Sequence, residues 1–183
     1  GASSEEKVAV PDFFNLNNIP EGTALIMMRR GISTEEKLTH FLYDTLDNLS
    51  DPFLMKGMQQ AVRRIIQAID LKEKIVIYGD YDVDGFTSTS ICVRCLRKLG
   101  ADVNFYIPLR EEEGYGLNRD AINKLSKEGV SLLITVDCGI SSADLVVEAP
   151  QSLDIIITDH HQPPKVLPDC VAVLNPHQED CPY

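Results

Sequence analysis

From residue 74 onward, short apolar runs alternate with longer stretches whose apolar positions recur every three or four residues. The runs at 74–79, 131–136 and 153–158 are rich in Val, Ile and Leu and predict buried strands, and 102–107 predicts a further strand. A shorter run near 171–174 reads the same way. Between them, helical spacing predicts helices over about 86–99, from Asn118 to about Glu128, and near 142–149. Asn118 suits a cap, and Gly100 and Gly129 stand where helices stop. Strand and helix in alternation imply right-handed crossovers and an α/β fold. The expected architecture is a mostly parallel, Rossmann-like sheet with helices on both faces.

Residues 1–70 follow another pattern and are assigned to an N-terminal arm with short helices packed on the core; residues 71–183 form the α/β domain. Residues 1–22 contain Pro11, Asn17, Asn18 and Pro20 without clear periodicity and read as loop or arm. Ser33 followed by Glu36 fits a capping box ahead of Leu38, Phe41, Leu42, Thr45 and Leu46. Asp51-Pro52 marks a break. A second helix runs from near Met55 to near Asp70, with Ala61, Val62, Ile65, Ile66 and Ile69 on its apolar face, and Arg63 and Arg64 are read as solvated.

Composition narrows the class. Of 183 residues, 44% are hydrophobic and 25% charged, which suits a globular chain with a real core. An odd count of five cysteines argues against a secreted disulfide framework and for a reducing, cytoplasmic setting. Cys92 and Cys95 fall within a helix and are expected to pack rather than bind zinc. No apolar run reaches the length of a membrane span, so no membrane association is expected. The net charge of −11 works against diffuse phosphate contacts with nucleic acid, although bound divalent cations would offset part of it.

Part of that charge lies at strand ends. The first strand runs into Gly79-Asp80-Tyr81-Asp82-Val83-Asp84-Gly85, the third ends on Asp137, and the fourth on Asp159-His160-His161. Ligands of open α/β sheets bind beyond the carboxyl ends of the strands. Close carboxylates repel unless a cation neutralises them, and mixed carboxylate and imidazole donors suit Mn²⁺ or a related ion. Asp80 to Gly85 opens like a calcium-binding loop, but its twelfth position is Ile91, where a Glu is required. Two ions bridged by one carboxylate would clamp attacking and leaving oxygens in phosphoryl displacement.

These three segments in order resemble the motifs of the DHH phosphoesterase superfamily. Asp51 to Lys56, Glu113 to Asn118, Asn175-Pro176 and Cys181 to Tyr183 narrow the resemblance to its single-strand-specific 5′→3′ exonucleases. The resemblance implies Asp82 and Asp84 as ligands to separate ions, Asp137 as the bridge and His160 as a further ligand. It makes His161 a phosphate-contacting group and Asp80 and Asp159 supporting acids, with two Mn²⁺ or Mg²⁺ ions as cofactors. Arg110 would bind the phosphate end of the strand and Tyr115 would stack on a base. Single-stranded DNA is the implied partner, with a single-strand-binding protein and a helicase as protein partners in repair and recombination. Pyrophosphatase relatives carry His where this chain has Tyr78. The superfamily's fourth motif has no counterpart here, so the chain reads as the front portion of a longer protein and is expected to be feeble alone. The alternatives are a phosphodiesterase of cyclic dinucleotides or very short RNA, and a non-catalytic replication scaffold.

Overall fold

A computed structural model of the chain describes residues 9–109, 114 and 116–183. The polypeptide divides into two compact units, Gly1–Leu49 and Ser50–Tyr183.

The first unit contains α1 (Asp12–Leu16), α2 (Glu21–Arg29) and α3 (Glu35–Tyr43). Phe14, Ala24, Met27 and Leu38 form its own small core. The expectation of loop through residue 22 fails here. Pro11 and Pro20 stand immediately before α1 and α2, where a missing N–H costs nothing, so they start helices rather than break them. The cap of α3 is Thr34, whose hydroxyl accepts from the Lys37 N–H at 3.3 Å, rather than Ser33.

In the second unit, α4 (Met58–Asp70), β1 (Lys74–Gly79), α5 (Val83–Lys98) and β2 (Asp102–Tyr106) are followed by α6 (Arg119–Lys127) and β3 (Val130–Val136). The chain continues through α7 (Ala143–Val147), β4 (Asp154–Thr158) and β5 (Ala172–Leu174). The strands pair in parallel in the order β2-β1-β3-β4-β5. Alternate side chains feed two cores, as the pleat requires. Val76, Tyr78, Leu133, Ile155 and Ile157 pack with Ala121, Ile122 and Leu125 of α6 and Val146 of α7. Ile75, Ile77, Leu132, Ile134 and Ile156 pack with Ala61 and Ala68 of α4 and Val93 and Leu96 of α5. Because α4 buries these alanines on the sheet, it belongs with the α/β unit, and the division falls after residue 49 rather than residue 70. Of the paired cysteines, Cys92 is part-buried while Cys95 is exposed, so only one packs. Among the described residues no helix is long and apolar enough to cross a membrane.

Arg64 is not the solvated residue its sequence suggests. Its side chain is 11% exposed and joins Asp154 and Glu73, each at 2.6 Å, tying α4 to β4 and to the turn before β1. Removing one member of a buried pair leaves the other charges uncompensated, but Asp154 remains half open to water, which screens part of the loss. Arg64→Ala is expected to lower unfolding stability by about 2 kcal/mol in urea titrations. Arg64→Lys should recover less than half of that, since a point charge cannot serve both carboxylates through a planar fork.

Candidate metal centre

Strand register assembles the site. Gly79, Val136, Thr158 and Leu174 lie in one row across β1, β3, β4 and β5. The next residue on each strand is therefore Asp80, Asp137, Asp159 or Asn175, and all four are buried at the carboxyl edge. The order β2-β1-β3 places the crossover reversal beside β1, where open α/β sheets leave a crevice.

Each acid is held by its own backbone contacts. Asp80 accepts the Tyr81 N–H at 2.8 Å. Asp82 caps α5, its Oδ1 accepting from Asp84 N–H at 2.9 Å and Gly85 N–H at 3.0 Å. Asp137 takes a left-handed backbone, φ +63°, that a non-glycine residue seldom adopts. The turn is fixed by the Thr135 hydroxyl donating to the Cys138 carbonyl at 2.7 Å and the Asp137 N–H donating to Thr158. Asp159 spends Oδ2 on the Ile140 N–H at 2.9 Å and Oδ1 on His161, through both its backbone N–H and its Nδ1 at 2.7 Å. His160 Nε2 lies 2.9 Å from Asp137 Oδ1.

Two groups of donor atoms converge within 4.8 Å: Asp80, Asp82 and Asp137, and Asp137, His160 and His161. Asp137 belongs to both. Electrostatics mark the same carboxylate. Burial, then the neighbouring charge of Asp82, raises the Asp137 pKa above the ordinary carboxylate value. The Gly85 N–H, aided by that of Asp84, holds Asp82 below it. The hydrogen bond that His161 donates to Asp159 raises the His161 pKa. Hard oxygen donors with imidazole, one carboxylate held at an electrostatic cost, form a set that fits a small divalent cation.

Asp84 lies outside both groups. It lines a groove of about 660 Å³ that also reaches Asp137, Asp159 and His160 and is walled by Met55, Met58 and Ile91. Arg110 and Tyr115 lie outside the described residues. Tyr78, which replaces the pyrophosphatase His, is buried; its hydroxyl donates to the Gly116 carbonyl at 2.9 Å and accepts from Asn118 at 3.1 Å. In the sequence Asn175 stands out only as part of an Asn-Pro pair. It is fully buried, donates to the His161 carbonyl at 2.8 Å and accepts the His177 N–H at 2.8 Å. It thereby ties the histidine turn to the end of β5.

The chain is similar to several known proteins. The chain is 48% identical over 161 residues to the single-stranded-DNA-specific exonuclease RecJ of Bacillus subtilis, covering 87% of this chain and 20% of that protein. A crystal structure of exonuclease RecJ bound to manganese superposes with a TM-score of 0.61 at 37% identity, covering 70% of this chain and 34% of that one. RecJ of Thermus thermophilus in complex with Mn²⁺ gives 0.68 at 28% identity, over 96% and 25% of the two chains. This chain thus spans about a fifth of the length of its Bacillus relative. Residues 74–182, which contain all the converging acids and both histidines, match the N-terminal domain of the DHH family, and the chain belongs to that family.

Proposed function

We propose that this chain is part of the catalytic core of a single-stranded-DNA-specific exonuclease that releases nucleotides 5′→3′ in DNA repair and recombination. The observation that carries the reading is the sharing of Asp137 between two converging donor groups. Asp80, Asp82 and Asp137 would hold one Mn²⁺ or Mg²⁺ ion, and Asp137, His160 and His161 a second. Asp84, which lines the adjoining groove, would be a further ligand. Such ions supply Lewis-acid stabilisation of the charge that builds on a phosphodiester during displacement. Asp159 fixes His161 through Nδ1, which leaves Nε2 to meet an ion or a phosphate oxygen. Arg110 would take the strand's terminal phosphate and Tyr115 would stack on a base. The names of the relatives support single-stranded DNA as substrate. We propose a single-strand-binding protein and a helicase as its protein partners.

The test uses the full-length protein that carries this chain, with 5′-phosphorylated linear single strands and Mn²⁺. Mononucleotide release that depends on Asp137 is expected; cleavage of circular strands, or a preference for cyclic dinucleotides, would contradict the reading. Asn175 serves the same site as a positioning residue. Asn175→Asp keeps the acceptor for His177 and loses the donor to His161. Its Mn²⁺ affinity, read by calorimetry, is expected to fall about 10- to 100-fold, the usual effect of losing a group that orients a ligand.

A further inference from the structure

Helix α5 leads away from the metal centre and turns Phe86, Ser90 and Arg94, one turn apart, toward β2. β2 is a terminal strand of the sheet, and its Phe105 is 58% exposed, as Phe86 is 52%. With Val93 and Ile107 these residues line a cavity of about 300 Å³. Thr89 forms part of its wall. That residue is 4% exposed, and its hydroxyl finds no hydrogen-bond partner among the described residues. Arg94 makes no ion pair among the described residues, although the chain carries a net charge of −11. Arg97 and Lys98 extend the positive charge along the last turn of α5.

We propose that this groove holds a nucleobase of a single-stranded nucleic acid outside the metal centre, an inference that rests on the nuclease reading above. Exposed aromatic faces beside a guanidinium with no ion pair among the described residues match a base and its phosphate; an apolar partner would leave Arg94 desolvated without a counter-charge from those residues. Phe86 follows the capping Asp82 by one helical turn, about 6 Å of rise, so the base held here belongs to a near neighbour of the nucleotide at the acids.

The experiment is fluorescence anisotropy with a labelled oligothymidylate at low salt, without added metal so that no strand is cut. Phe105→Ala and Phe86→Ala are each expected to weaken binding about tenfold. An oligothymidylate whose bases in this region are replaced by abasic sites should bind the wild-type chain equally weakly and be indifferent to Phe105→Ala. Arg94→Gln, an exposed change that leaves the core intact, should reduce the slope of log K against log salt by about 0.7. Unchanged binding in all three variants overturns the proposal. So does an equal loss on the abasic strand, or self-association that Phe105→Ala abolishes while oligonucleotide binding stays constant. Mononucleotide release by the full-length protein in Mn²⁺ is scored separately. Groove-dependent binding without release leaves the groove standing and overturns the nuclease reading; release with groove-independent binding does the reverse.

Discussion

Asp137→Ala is expected to abolish Mn²⁺ binding by this chain and, in the full-length protein, to lower hydrolysis of single strands by about three orders of magnitude. No other side chain stands in both donor groups, among the described residues, so its loss opens both at once. Its neighbours cannot take its place. Asp159 is committed to the Ile140 N–H and to His161, and Asp82 to the first turn of α5. The left-handed turn at Asp137 also holds its carboxylate where a shifted backbone would not. Asp137→Asn separates charge from shape. In the metal-free chain it removes a buried carboxylate that Asp82 already opposes, so the melting temperature is expected to rise while Mn²⁺ affinity is lost. A fall in melting temperature instead would mean that the Asp137 carboxylate also serves the fold. Retained Mn²⁺ affinity in Asp137→Ala would remove the basis of the two-ion reading.

What is legible in the sequence follows from the range of each signal. The apolar runs of β1, β3 and β4 are local and stand almost where periodicity puts them. Helix α5 begins three residues before the position 86 that spacing predicts, because Val83 to Gly85 look like an acidic loop. Asp82 is itself the helix cap, so the acid cluster and the helix start are one feature. The short helix α2 buries only Ala24 and Met27, too few positions for a helical period to stand out. Asn175 and Arg64 escape for another reason. Their roles depend on which strand lies beside which, a long-range register that no local window contains. The alignment of Asp80, Asp137, Asp159 and Asn175 in one row appears only once four strands are paired.

Gly85→Ala is expected to cost at least about 3 kcal/mol in urea unfolding and to remove Mn²⁺ binding with it. A β-carbon at Gly85 would lie 2.2 Å from the Asp80 carbonyl oxygen and 2.6 Å from its nitrogen. Both are backbone atoms of the segment that carries the first two acids, so nothing can give except the site itself. Gly79→Ala meets a different obstacle. Its β-carbon would fall 2.1 Å from the Thr89 hydroxyl oxygen, a side-chain atom that a second substitution can remove. Gly79→Ala with Thr89→Ala should therefore recover part of the stability, the Gly85 carbonyl oxygen still lying 3.0 Å from the new β-carbon, whereas shortening Thr89 should do nothing for Gly85→Ala. Gly22, in the first turn of α2, has no atom within 4 Å of its β-carbon position. There the same exchange should stabilise by about 0.5–1 kcal/mol through the unfolded chain alone. If Gly85→Ala behaved like Gly22→Ala, the close packing of Asp80 against the start of α5 would be wrong. The acids would then be held by their hydrogen bonds rather than by the approach of two backbones that only glycine permits.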